Sequence, residues 1–295
     1  MNRKILVIGG TGMLGGPVVR ALAHAEFDLR IMTRDREKAR RLFGTNAEII
    51  EGDVTRPESL TEAISGCQAV YVNLGAGMDI RDFRLVERDG TVNIARAAAS
   101  GGVEHIGMIS ILNAGQSGGN NVYLNAKTEA ELALMESGVP YTIFRCCWFF
   151  ESLARYIVNK RAMIFGRQPH KFPWMAGSDY ANMVVKALQN NEAKNRVFHV
   201  RGVEEYTLEE ALRIFAEIAM PGLKITHTPL WMLKAFGLVS RNKLARGMIE
   251  FVEFYEKSHD PVAEDDSDRI LGPALTTLRD WAEEYKRKMA AAAGD

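Results

Sequence analysis

The run Ile8-Gly9-Gly10-Thr11-Gly12-Met13-Leu14-Gly15 constrains this chain more than any other feature. It closes a short apolar run, Ile5 to Ile8, and opens a helical pattern over 14–25. It satisfies Gly-x-Gly-x-x-Gly from Gly10 and Gly-x-x-Gly-x-x-Gly from Gly9. One glycine makes the tight turn, a second lets backbone N–H groups approach a pyrophosphate, and Gly15 lets helix pack on strand. The helix N-terminus adds partial positive charge at the same point. Gly9, Thr11, Gly12, Met13, Leu14 and Gly15 are therefore expected to hold the phosphates of a dinucleotide.

Beyond the glycines the chain alternates helix and strand. Strands are expected over 4–8, 29–33, 49–50, 69–74, 105–111 and 141–144, with helices over 14–25, 36–43, 57–64, 86–99 and 126–136. Strands apolar on both faces, joined by helices, argue for an α/β fold with a doubly wound parallel sheet of Rossmann type. After Arg145 the rhythm changes. A helix is expected over 148–158, a strand-rich loop over 162–174, helices over 179–188 and 209–218, and a strand over 197–200. An apolar segment (230–239), an amphipathic helix (242–257), a last helix (275–287) and a fraying tail (289–295) complete the chain. The expected division is 1–150 as the dinucleotide-binding domain, its sheet completed by part of 176–202, and 151–295 as a smaller C-terminal substrate lobe.

Thirty-seven basic residues balance thirty-seven acidic ones without a run of one sign, so no nucleic-acid or membrane-surface partner is indicated. An apolar share of 47% supports a core without staples. Cys67, Cys146 and Cys147 read as small buried hydrophobes rather than a disulfide framework. The six histidines lack metal-ligand spacing, and no metal is expected. Four apolar residues before the glycines are too few for a signal-peptide core, and no stretch has the length of a membrane span. A cytoplasmic location is the expectation.

The acid that grips a ribose 2′-hydroxyl is expected roughly twenty residues beyond the glycines. The second strand's tip reads Met32-Thr33-Arg34-Asp35. An arginine there suits a 2′-phosphate; Asp35 is the acid if the strand runs one or two residues further. Arg34 makes NADP(H) the expected cofactor. Asp53 and Val54, after the third strand, are placed to meet the adenine, although ordinary turn chemistry accounts for Asp53 equally well. Asn73, Leu74 and Gly75 border the nicotinamide side.

Tyr123 and Lys127 are four apart, hence on one helical face. An ammonium beside a phenol favours the phenolate and lowers the phenol pKa; the lysine can also bond the nicotinamide ribose. Ser110, at the end of the fifth strand, is placed to hold a substrate carbonyl. Together Gly9-x-x-Gly12-x-x-Gly15, Arg34, Gly52-Asp53-Val54, Ser110 and Tyr123-x-x-x-Lys127 resemble the short-chain dehydrogenase/reductase superfamily. The stretch EAELALMESGVPYTIFRCCWFFE (129–151) resembles its atypical, NmrA-like branch, as do VFHVRGVEEYTLEE (197–210) and LGPALTTLRDW (271–281). That branch implies NADPH-dependent quinone, isoflavone-type or ether reductases, or catalytically silent NADP sensors; many members lack the tyrosine, so Tyr123 favours an enzyme. Two departures stand out. Cys146 follows Arg145 where the branch usually has proline, and Glu87 occupies the position where extended relatives often carry a catalytic asparagine.

Trp148, Phe149, Phe150 and Trp231, with Trp174 and Phe236, are candidates for an apolar substrate wall. The basic stretch Arg155, Lys160, Arg161, Arg167 and Lys171 reads as a solvated face, or else as a nucleotide-sugar phosphate site. The expected function is reduction of a small carbonyl, enone or quinone-like compound with NADP(H). A non-catalytic NADP(H) sensor and a nucleotide-sugar epimerase or dehydratase are the alternatives.

Overall fold

The computed structural model describes residues 3–75, 82–116, 121–240, 243–258 and 265–294. Its centre is a seven-stranded sheet. Strands β1 (Lys4–Ile8), β2 (Asp28–Thr33), β3 (Glu48–Glu51), β4 (Ala69–Val72), β5 (His105–Ile111) and β6 (Tyr141–Cys146) enter it in turn. A later strand, Arg196–Val200, adds to the free edge of β6, and every pairing is parallel. The chain winds outward from β1 to β3 on one side and from β4 to β6 on the other. The reversal falls between β1 and β4, where a doubly wound sheet opens a crevice for its ligand.

Two-sided burial explains the apolar strands. Leu6, Ile8, Val70, Val72, Ile106, Met108 and Ile143 share one core. Ile5, Val7, Ala69, Tyr71 and Phe144, which point the other way, are equally buried. The helices on this sheet include α1 (Gly15–His24), α2 (Arg36–Phe43) and α3 (Pro57–Ile64). A seven-residue π-helical segment, Phe83–Asp89, runs straight into α4 (Gly90–Ser100), where one ordinary helix over 86–99 is expected from periodicity. Helix α5 (Val122–Met135) begins four residues earlier than expected because Asn121 caps it, its Oδ1 accepting from Leu124 N at 2.9 Å.

One buried group gives this sheet an acid-sensitive point. His105 is fully buried at the start of β5, and Thr142 Oγ1 lies 2.8 Å from its Nε2. The Thr142 hydroxyl donates to Ala193 O at 2.7 Å, so Nε2–H is the donor to Thr142. Burial, then the Arg3 and Lys194 charges, pushes the imidazole down to about 4. A histidine held neutral when folded stabilises fully above its unfolded value near 6.5, and that stability is lost as pH falls towards 4. Relative to His105→Asn, the wild type should lose about 2–3 kcal/mol more between pH 7 and pH 4.5 in urea titrations. Equal losses would place the proton elsewhere.

The chain forms two compact units: residues 1–146, 180–200 and 263–272, and residues 147–179, 201–262 and 273–295. The second has two three-stranded sheets and its own core of Phe150, Leu153, Trp174, Leu212, Phe215 and Trp281 among others. The helix expected over 148–158 is absent. Trp148–Phe149 pairs as a strand with Trp174 and Met175, Phe150–Tyr156 is a 3-10 helix, and Ile157–Val158 pairs antiparallel with Ala162 and Arg161. Asn159 and Lys160 both have positive φ, 51° and 58°, making a two-residue hairpin turn that no helix accommodates. Glu151 is held inside this unit, accepting from Gly177 N through both oxygens at 3.0 Å and from Trp281 Nε1 at 3.1 Å. The last helix starts at Leu278, not 275, because the N–H groups of Leu275 and Thr276 go to the Asp179 carboxylate at 2.9 and 2.8 Å. It continues to Gly294, through the stretch expected to fray. No helix among the described residues is long and apolar enough to cross a membrane.

Candidate dinucleotide and active site

The glycine turn sits at the sheet's reversal point. Gly9 takes a left-handed φ of 81°, and a Cβ there would run into the backbone carbonyl of Asn73 at the end of β4. A Cβ on Gly15 would strike Gly9 O and come within 2.8 Å of Gly10 Cα. These glycines are required by backbone meeting backbone. Gly12 N donates to Gly9 O and Gly16 N to Gly12 O, each at 3.1 Å, so the loop folds directly into α1. Gly12 and Met13 are exposed, with Thr11 and Leu14 half-buried. Helix α1 has no side-chain cap and no acidic residue in its first turn. No side chain therefore covers its N-terminus, whose dipole stays open to an anion, as a diphosphate requires.

Beside it stand the tips of β2 and β3. Thr33 ends β2 and Arg34 is exposed. Asp35 is the N-cap of α2, its Oδ1 accepting from Lys38 N at 2.9 Å while Thr33 Oγ1 accepts from Asp35 N at 3.1 Å. The acid two residues past the tip therefore serves its own helix, and Arg34 is the charge presented. Asp53 Oδ1 accepts from the N–H and hydroxyl of Thr55, both at 2.9 Å. Burial pushes its carboxyl up, but the Thr55 bonds and the Arg34 and Arg56 charges outweigh it and hold the group below its usual range. Val54 is buried, and its carbonyl accepts from Asn93 Nδ2 at 2.9 Å.

At the other end, half-buried Asn73 and Leu74 and exposed Gly75 leave β4. Ser110, next to last in β5, is 3% exposed, and its Oγ has no partner among the described residues. A buried hydroxyl in that state is costly unless a ligand completes it. Tyr123 is half-buried at the start of α5, its ring 5.0 Å from that of Phe83. Lys127 does not act on it as an isolated cation. Its Nζ donates to Glu87 Oε2 at 2.7 Å, and both residues are buried. The phenol is pushed above the usual tyrosine range, by burial first and then by the negative charge of Glu87. This reverses the lowering expected from a lysine one turn away. A crevice of roughly 10 Å³, about one water in size, lies among Leu74, Glu87, Thr91, Met108 and Lys127. Glu87 was legible only as a departure from a pattern; that Phe83-x-x-x-Glu87 repeats the step of Tyr123-x-x-x-Lys127 is the signal that pairs them.

The four aromatics expected to form a substrate wall occupy different settings in the second unit. Trp148 is half-buried among Phe172, Trp174, Phe251 and Tyr255, with ring centroids 4.9–6.0 Å away. Phe149 is buried. Phe150 is wholly buried against Trp281 and belongs to that unit's core, so its ring is a packing element. Trp231 is 69% exposed. Arg155, Lys160, Arg161, Arg167 and Lys171 are all exposed. The three cysteines are buried, and no group of His, Cys, Asp or Glu among the described residues is arranged to hold a metal.

The sequence profile of an NAD(P)H-binding family matches residues 9–194. The photosystem II assembly factor Ycf39 of Trieres chinensis is 27% identical over 266 residues, covering 87% of this chain and 83% of the relative. An NAD(P)H azoreductase of Xenophilus azovorans is 25% identical over 295 residues, covering 98% of this chain and 100% of the relative. The crystal structure of Citrobacter sp. triphenylmethane reductase complexed with NADP(H) has a TM-score of 0.72 at 21% identity, over 95% of this chain and 99% of that one. The glycine cradle, the uncapped helix above it and the profile match agree: this chain belongs to the NAD(P)H-binding family and has the fold of the atypical, NmrA-like short-chain dehydrogenases and reductases.

Proposed function

We propose that this protein is an NADP(H)-dependent oxidoreductase that reduces a small, uncharged acceptor of the carbonyl, enone or quinone-like class. The observation that carries the reading is the pairing of the glycine cradle with an exposed Arg34 at a strand tip whose nearest acid, Asp35, caps α2. Gly9 to Gly15 hold the diphosphate, Arg34 the 2′-phosphate, and Asp53 and Val54 border the adenine. Asn73, Leu74 and Gly75 border the nicotinamide. Bound dihydronicotinamide supplies hydride; the chain supplies placement. Ser110 Oγ bonds the acceptor oxygen, Tyr123 Oη gives it a proton, and Lys127 has N–H groups beyond the one on Glu87 with which to orient the ribose. The full-length match to an azoreductase supports reduction of an electron-poor acceptor. An epimerase that retains NAD calls for an acid at the β2 tip, and Asp35 is otherwise engaged.

Cofactor choice is the first test. NADPH should bind at least tenfold tighter than NADH, about 1.4 kcal/mol, and Arg34→Ala should remove most of that difference. Equal affinities in calorimetry of the wild type would defeat the assignment of Arg34.

A second reading, an NADP(H)-binding regulatory or assembly protein without turnover, draws on the match to an assembly factor and on the capture of Lys127 by Glu87. Single-turnover mixing of the NADPH-loaded protein with a panel of quinones, enones and azo compounds separates the two. Stoichiometric NADPH oxidation is expected; intact binding with no oxidation on any acceptor selects the second reading.

A further inference from the structure

Two equal steps face one another where Tyr123 stands. On the π-helical segment Phe83 and Glu87 are four apart, and on α5 so are Tyr123 and Lys127. They meet in register. Phe83 lies against Tyr123 with an interplanar angle of 56°, and Glu87 bonds Lys127 at 2.7 Å. The i→i+5 bonding of a π-helix widens its turn and brings residues four apart close to one face, and such segments recur at functional sites. The matching residues of α5 share a face by the ordinary helical repeat. Glu87 is 4% and Lys127 7% exposed, so water screens neither charge.

Resting on the oxidoreductase reading above, we propose that Glu87 is a positioning residue that cancels the charge of Lys127 and so keeps Tyr123 protonated, as the donor to the acceptor oxygen. A lysine lowers a neighbouring phenol through its net charge. With a carboxylate at 2.7 Å the pair has none, and its field falls off as that of a dipole. The raised phenol agrees with this arrangement. Other charges on the packed elements leave it in place. Arg88 pairs with Asp89 and with Glu129 of α5 at 2.6 and 3.2 Å, and Glu131 pairs with Arg145 of β6 at 2.7 Å. Arg84 and, on α4, Arg96 are exposed, Asp82 precedes the segment, and β5 brings the neutral Ser110.

In reduction the acceptor carbon would gain hydride from the dihydronicotinamide, the oxygen so made negative would take the Oη proton, and the phenolate would recover a proton from solvent. A phenol held protonated keeps that donor available near neutral pH.

The test monitors Tyr123 itself, by carbon-13 NMR of the full chain labelled at tyrosine Cζ, with its resonance assigned by its loss in Tyr123→Phe. In the wild type Tyr123 should titrate above the usual tyrosine range, and in Glu87→Gln about one pH unit lower or more. The alkaline limb of the pH–rate profile for ketone reduction should move down by a similar amount in the same variant. If Glu87→Gln does not fold, Glu87→Gln/Lys127→Met, which strands no buried charge and is neutral like the wild-type pair, should leave Tyr123 titrating close to the wild type; a fall of about one pH unit or more there overturns the proposal. A Tyr123 that titrates alike in wild type and Glu87→Gln overturns it too, whatever the activity. A lowered titration with no turnover on any acceptor instead removes the oxidoreductase reading and leaves the hold of Glu87 on the phenol standing.

Discussion

Glu87→Gln or Lys127→Met should each destabilise the protein by about 3–5 kcal/mol, while the double variant should recover most of that loss. The reason lies in what each single change leaves behind. Both side chains are buried, so removing the carboxylate leaves a buried ammonium without this counter-charge, and removing the ammonium does the same to the carboxylate. Replacing both leaves neutral groups of similar size, which interiors tolerate and often favour over an ion pair. A double-mutant cycle by urea denaturation with unchanged m-values reads the coupling directly. Losses that simply add would mean that the two charges do not sense each other in solution.

Gly15→Ala should weaken NADPH binding on the order of a hundredfold, about 2.8 kcal/mol, and lower stability by about 1–3 kcal/mol as well. The added methyl meets Gly9 O and Gly10 Cα, and neither is the yielding end of a side chain. Helix and turn must separate, which moves the α1 amides away from the phosphates. Gly12→Ala provides the contrast. Its Cβ meets only Gly9 O, at 3.2 Å, and Gly12 is exposed, so stability should be nearly kept while the methyl blocks the approach of the diphosphate. Calorimetric binding and thermal unfolding on both variants check this. A Gly15→Ala protein that binds NADPH like the wild type would remove the glycine turn from the cofactor site.

The parts of this protein that the sequence alone determined are those governed by neighbours along the chain. Apolar runs such as Ile5 to Ile8 and Ala69 to Val72 are too uniformly apolar for a one-sided sheet, and they lie in a parallel one buried on both faces. The glycine turn is legible because tight turn, phosphate approach and helix packing all act within seven residues. Asp35 was open from sequence, since cap and ribose ligand use the same side chain; the Lys38 N–H resolves it. What only tertiary structure decided is everything that pairs distant residues. Glu87 and Lys127 are forty positions apart, and no local preference puts an acid on that lysine. The lowering expected of Lys127 on Tyr123 is reversed by burial first and then by the charge of Glu87, and neither follows from the local sequence. Residues 148–158 read as a helix, but the pairing of Trp148 and Phe149 with Trp174 and Met175 and the hairpin turn at Asn159 and Lys160 set short strands on either side of a 3-10 helix instead. Backbone preference is worth a few tenths of a kcal/mol per residue, whereas burying an aromatic ring or pairing a desolvated charge is worth several. Around Tyr123 and in the second unit's core the stronger interactions join residues far apart in the chain, and they prevail over local preference.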